Sequence, residues 1–167
     1  ELDELIFRLN NGKATSAVHK AVMMGGSDVA EAIRQKVLGN NFFDNRFVMS
    51  PSQEKNSDDM KCVFHTLALL TNAEFNKLTS GDLTKIAENM RKDWDAGRLT
   101  EQNIEYCNLL LENLNMWLPD ECEFDCKKIL TSIHIPIMVM NVEKAIQMID
   151  DGELTEEQYK DFLRYWV

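Results

Sequence analysis

Residues 97–119 read GRLTEQNIEYCNLLLENLNMWLP. Thr100 is an N-cap residue, and Ile104, Cys107, Leu111, Leu114 and Leu118 follow it at helical spacing, forming one apolar stripe. Pro119 cannot continue that helix, and Gly97 stops the one before it. A stop, a cap, an amphipathic run and a second stop are thus written into a single stretch. The same grammar recurs on both sides of it.

Upstream, Leu83, Ile86, Met90 and Trp94 share one face of a helix started by Ser80. Ser57, backed by Asp58 and Asp59 at the positive helix end, caps a helix striped by Met60, Val63, Phe64, Leu67 and Leu70. Ser27 is read as the cap of a helix buried through Val29, Ile33 and Val37 and closed by Gly39. Thr15 or Ser16 caps a helix that turns Val18, Ala21 and Val22 inward and breaks at Gly25-Gly26. Leu2, Leu5, Ile6 and Leu9 form a first stripe, ended by Asn10-Asn11-Gly12.

Downstream, a helix is expected around Cys126–Ser132. Pro136 fits the first turn of another over Ile135–Ile149, with Met138, Val142, Ala145 and Ile149 buried. Thr155 and Gln158 fit a capping box, and the last helix is expected to bury Tyr159, Phe162, Leu163 and Trp166. Strand signals are nearly absent. The reading is an all-α fold of about eight helices in one domain spanning 1–167, with possible sub-halves 1–50 and 58–167.

Charge narrows the functions. Residues 1–50 hold six Lys/Arg and six Asp/Glu, whereas residues 51–167 hold twelve against twenty-two, so the net charge of −10 arises after residue 50. Direct binding to a phosphate backbone needs clustered Lys and Arg that can release counterions, and no such cluster appears here. Neither nucleic-acid binding by this chain nor attachment to an anionic membrane is expected. The most apolar window, ILTSIHIPIMVMNV at 129–142, is shorter than the ~18–20 residues of a membrane span. No basic and apolar leader opens the chain, and its first residue is Glu1 rather than Met, as expected of a fragment, a processed product or an ordered remnant. Four scattered cysteines (Cys62, Cys107, Cys122 and Cys126) then read as reduced thiols in a cytosol.

Chemistry-bearing motifs are weak. DWDAGRLTEQNIEY and IDDGELTEEQYKDF suggest calcium loops, but an EF-hand needs oxygen ligands at positions 1, 3 and 5 before its glycine. With Gly97 as that glycine those places hold Lys92, Trp94 and Ala96; with Gly152 they hold Gln147, Ile149 and Asp151. Both stretches read instead as helix ends followed by caps. Cys122 and Cys126, with His134 nearby, lack the second pair a structural zinc site requires. His19, His65 and His134 each stand alone, with no nucleophile in a recognisable relation to them. No cofactor and no metal is expected, and no catalytic residue is assigned. The acidic run Asp150, Asp151, Glu153, Glu156 and Glu157 is a candidate binding face, against the plainer reading of a solvated surface.

One resemblance extends this reading. IFRLNNGKATSAVHKAVM at 6–23, then NNFFDNRF at 40–47, then SDDMKCVFHTLALLTN at 57–72, resembles the segment that follows the catalytic core in the ParB-like (sulfiredoxin-like) nuclease family. That family includes GmrSD-type modification-dependent restriction proteins and phage and plasmid relatives. Ile6, Phe7, Arg8, Leu9, Asn10, Gly12 and Thr15 match its phrase, while Lys13-Ala14 replaces the usual Pro-Leu. The family's D-G-Q-Q-R-type core motif occurs nowhere in the chain. The resemblance implies a helical accessory part of a phage or bacterial protein in the host cytoplasm, contacting a protein partner or itself and not catalytic on its own. It also implies that Arg8, Asn10, Asn11 and Gly12 lie near a cleft or interface, the alternative being that they only hold the turn. A reading of another class is a stand-alone acidic inhibitor or DNA mimic that binds a basic cleft on a nucleic-acid enzyme.

Overall fold

A computed structural model describes residues 17–37, 55–71, 83–118 and 134–166. They contain seven helices and no strand: α1 Ala17–Gly25, α2 Ser27–Lys36, α3 Lys55–Leu70, α4 Leu83–Asp95, α5 Glu101–Trp117, α6 His134–Asp150 and α7 Glu156–Trp166. The all-α expectation holds. The expected helices at Leu2–Leu9 and Cys126–Ser132, and Gly39 and Ser80, lie outside the described residues.

One hydrophobic core draws side chains from all seven helices. α3 is its axis, touching α1, α4, α5 and α6. Seven consecutive residues, Cys62 to Ala68, are buried there, so α3 is enclosed on every side over two turns. Thr66 fits because its hydroxyl donates to the Cys62 carbonyl at 2.9 Å. α1 packs most extensively on α4, and α2 packs on α5, so the residues before 38 share the core of those after 55. Tyr106 of α5 meets Glu143 of α6, and Trp117 at the end of α5 meets Tyr159 of α7.

The two stretches whose sequences suggest calcium loops are copies of one structural unit. Asp95-Ala96-Gly97-Arg98-Leu99-Thr100-Glu101 and Asp150-Asp151-Gly152-Glu153-Leu154-Thr155-Glu156 share Asp, Gly, Leu, Thr and Glu at equal spacing. Each glycine is left-handed, with φ +71° at Gly97 and +74° at Gly152. Gly97 N–H donates to Trp94 O at 3.0 Å and Arg98 N–H to Asp93 O at 2.8 Å. Gly152 N–H donates to Ile149 O at 3.0 Å and Glu153 N–H to Met148 O at 2.8 Å. Both are Schellman stops. Each is followed by the same cap: Asn103 Oδ1 accepts from the Thr100 amide at 2.9 Å, and Gln158 Oε1 accepts from the Thr155 amide at 2.9 Å. Thus the α4–α5 and α6–α7 joints are two copies of one stop-and-cap turn.

Some caps differ from expectation. Gly26, not Ser27, is the N-cap of α2, because only glycine readily takes its φ of +92° and ψ of 149°. α3 begins at Lys55, which places Ser57 inside the helix rather than before it. Pro136 does sit in the first turn of α6, and Leu118 is extended (φ −66°, ψ 138°), as suits the residue before a proline. Phe162 is a correction: it is 49% exposed, not buried, while Tyr159 and Leu163 do carry the inner face of α7.

Candidate interaction surface

Arg8, Asn10, Asn11 and Gly12 lie outside the described residues, as do Cys122 and Cys126. The acidic candidates are all described and all exposed. Asp150 ends α6, Asp151 and Glu153 lie in the turn, and Glu156 and Glu157 open α7. The Schellman stop therefore gathers all five at one corner.

They are not equivalent. Lys160 reaches Glu156 at 2.7 Å and Glu157 at 3.9 Å. Its ammonium holds the Glu156 carboxyl below the usual carboxylate range, and Glu156 in turn raises Lys160. The Trp117 indole lies near enough to add a smaller lowering effect on Glu156, yet its N–H makes no hydrogen bond of good geometry. Glu156 and Glu157 also favour the positive end of α7. These two carboxylates have a local structural role. Asp150, Asp151 and Glu153 make no ion pair among the described residues.

The apolar surface is the feature the sequence did not single out. Among the described residues, the large exposed apolar side chains are Met24, Tyr106, Leu109, Met116, Ile137, Met148, Phe162 and Tyr165; all but Met24 lie on the last three helices. Helical spacing puts Leu109 and Met116 on the outer face of α5 beside Glu105 and Glu112. Ile137 and Met148 share the outer face of α6 with Asn141 and Lys144. Tyr106 is partly engaged: its hydroxyl donates to Glu143 at 2.8 Å, and burial first, then this bond, raises its pKa to about 12. The run Leu109-Leu110-Leu111 spans about 200° of a helix, more than the inner face of a helix at the edge of the bundle, and Leu109 is the one turned outward.

Two other features have structural explanations. Arg91 of α4 reaches Asp28 in the first turn of α2 at 2.6 Å and also pairs with Asp95. The pairing, chiefly with Asp95, raises the guanidinium further and lowers Asp95. This bridge fixes the α1–α2 joint against α4. A cleft of about 460 Å³ is lined by Leu70, Thr71, Asn89, Lys92, Asp93, Arg98 and Asn103. Within it Arg98 pairs with Asp93 at 2.7 Å. Thr71 on its rim directly follows the end of α3.

The histidines are dispersed between exposed His19 on α1, buried His65 on α3 and exposed His134 at the start of α6. No group of three or more His, Cys, Asp or Glu side chains among the described residues could hold a metal ion. Cys107 is fully buried, and burial pushes its thiol up to about 12, well away from a reactive thiolate. No helix among the described residues is long and apolar enough to cross a membrane. No family model, curated protein or solved structure matches the chain.

Proposed function

We propose that this chain works by binding rather than by chemistry, as a helical interaction module whose contact surface is the outer faces of α5, α6 and α7. The observation that carries this reading is the concentration of exposed Leu109, Met116, Ile137, Met148, Phe162 and Tyr165 on those three consecutive helices. Apolar groups gathered on one part of a surface mark contact sites, whereas scattered ones need no explanation. The resemblance carried by the phrases at 6–23, 40–47 and 57–72 favours an accessory role beside a ParB-like nuclease core, with partner contact or self-association as the task.

The test has two parts. The coding region upstream of Glu1 is read for a D-G-Q-Q-R-type core, and residues 1–167 are assayed alone for nuclease and nucleotide hydrolysis. An upstream core and no turnover by residues 1–167 is the expected result. Robust turnover by this chain alone refutes the non-catalytic reading, and a start codon within a few residues of Glu1 refutes the link to a nuclease core.

A second reading is favoured by Asp150, Asp151 and Glu153, which no described cation neutralises. Such a corner suits a basic cleft on a nucleic-acid enzyme. Binding to such an enzyme that weakens with salt, and is lost on charge reversal of those three residues, supports it. Binding unchanged by the reversal removes that corner as the contact.

A further inference from the structure

The cleft of about 460 Å³ between the end of α3, α4 and the first turn of α5 falls within the size range of small-molecule sites. The Arg98–Asp93 pair accounts for one wall, and much of the remaining polar lining is not spent on the fold. Asn89 and Lys92 lie one turn apart on α4, and neither side chain makes a hydrogen bond or ion pair among the described residues. Asn103 Oδ1 is held by the Thr100 amide at 2.9 Å and the Thr100 hydroxyl at 3.0 Å, which leaves its Nδ2 donor uncommitted there. Arg98 turns Nε at 2.8 Å and Nη2 at 2.7 Å onto one oxygen of Asp93, so its Nη1 is uncommitted as well. Against these donors stand the second Asp93 oxygen, Asn89 Oδ1 and the Thr71 hydroxyl, whose own proton goes to the Leu67 carbonyl at 2.7 Å. Donors are thus in excess, and two cations face one carboxylate in a chain whose net charge is −10.

The second stop-and-cap turn shows that these side chains are not needed to build the first. At the positions equivalent to Lys92, Asp93 and Arg98 it carries Gln147, Met148 and Glu153, yet it makes the same stop and the same cap. The residues that the two turns share, Gly, Leu, Thr and Glu, make the joint; the polar lining of the cleft belongs to the first turn alone. We infer that this cleft is a binding site for a small molecule carrying an anionic oxygen group, a carboxylate or a phosphate. Lys92 supplies the charge that attracts the group, and Asn89, Asn103 and Arg98 Nη1 supply donors to its oxygens. Asp93 holds the Arg98 guanidinium in place from one side and leaves its far edge for the ligand. The site shares no residue with the proposed contact surface on α5 to α7 and does not depend on it.

The test is a titration of the isotope-labelled chain with inorganic phosphate and, separately, with succinate, followed by amide NMR at an ionic strength held constant with sodium chloride. The expected result is a saturable shift of the Asn89 and Asn103 side-chain amides with at least one probe, with a dissociation constant on the order of 1–10 mM, as suits a fragment of a few atoms. Whichever probe saturates identifies the group. Lys92→Glu and Asn89→Asp are each expected to raise that constant at least about tenfold while circular dichroism shows the helices intact. Lys144→Glu, the same charge change on α6, is expected to leave it within about twofold, which separates the cleft from the overall charge of the molecule. Shifts that stay linear up to about 100 mM with both probes overturn the inference. A dissociation constant that Lys92→Glu and Asn89→Asp leave unmoved, or that Lys144→Glu raises equally, also overturns it.

Discussion

Replacing Gly26 with Ala tests the geometry of the α1–α2 joint, and Gly25→Ala supplies its control. Gly26 sits at φ +92° and ψ 149°, a region essentially reserved for glycine, and forcing an L-residue there costs roughly 1–3 kcal/mol. An added Cβ would also lie 2.5 Å from Arg91 Nη1 and 2.7 Å from Asp28 Oδ1. The guanidinium can swing away, so this contact adds only the loss of a partly exposed ion pair, at most about 1 kcal/mol. The total is roughly 1–4 kcal/mol, or a fall in Tm of roughly 2–16 °C for a domain of this size. Gly25 is different. It is the last residue of α1, and a Cβ there would meet Phe64 at 3.6 Å and Ala87 at 3.8 Å, ordinary contact distances. Its change to Ala is expected to be neutral or stabilising by up to about 1 kcal/mol. Thermal and urea unfolding followed by far-UV circular dichroism measure both. In an Arg91→Ala background the penalty of Gly26→Ala should shrink by the ion-pair share and no more. Equal effects at the two glycines, or Gly26→Ala within about 0.5 kcal/mol of the parent, would refute the reasoning.

Gly97 and Gly152 have almost the same φ, and nothing stands within 4 Å of a Cβ at either, so Ala at each should destabilise by the same roughly 1 kcal/mol in urea unfolding; a large inequality would break the equivalence of the two turns. Tyr159 buries its hydroxyl without a partner, so Tyr159→Phe is expected to leave stability unchanged or raise it by up to about 1 kcal/mol, whereas a clear loss of stability would show that the hydroxyl is engaged. Burial raises the Cys107 thiol to about 12, above an unfolded value of ~8.5, so its contribution is complete below ~8.5 and is lost as pH rises towards about 12. Urea midpoints should therefore fall over that window, and less steeply in Cys107→Ala; residue-resolved alkylation near neutral pH should spare Cys107 until the protein unfolds.

The parts of the fold legible in the sequence are those governed by local chemistry. Gly97, Thr100, Gly152 and Thr155 are stops and caps decided within a few residues, and each stands where expected. The stripe Ile104, Cys107, Leu111, Leu114 and Leu118 is buried throughout. Ser27 misled because a good capping side chain lost to the backbone of Gly26, which alone suits the turn between two abutting helices. The central place of α3 was less visible, since a stripe can be drawn through CVFHTLA although every residue of it is buried; the lack of a charged residue from Cys62 to Ala73 was the available signal. Phe162 shows where periodicity stops being informative. Its spacing from Tyr159 and Leu163 puts it on the inner edge of α7, but burial there needs a neighbouring helix, and no local pattern supplies one. The contact surface was obscure for the same reason. The acidic corner is conspicuous in sequence, whereas Leu109, Met116, Ile137 and Met148 resemble core residues until the helices are assembled.

Oxidative footprinting with residue-level mass spectrometry tests most directly the claim that the outer faces of α5 to α7 are a contact surface. Hydroxyl radicals modify exposed Met and aromatic side chains, and Met24 on α1 provides an internal control. The protein is labelled dilute and purified, and again in its native cell. The account predicts that Met116, Met148, Phe162 and Tyr165 are labelled markedly more slowly in the cell while the rate at Met24, relative to the radical dose, is unchanged. Equal labelling of all five residues in the two settings would contradict it.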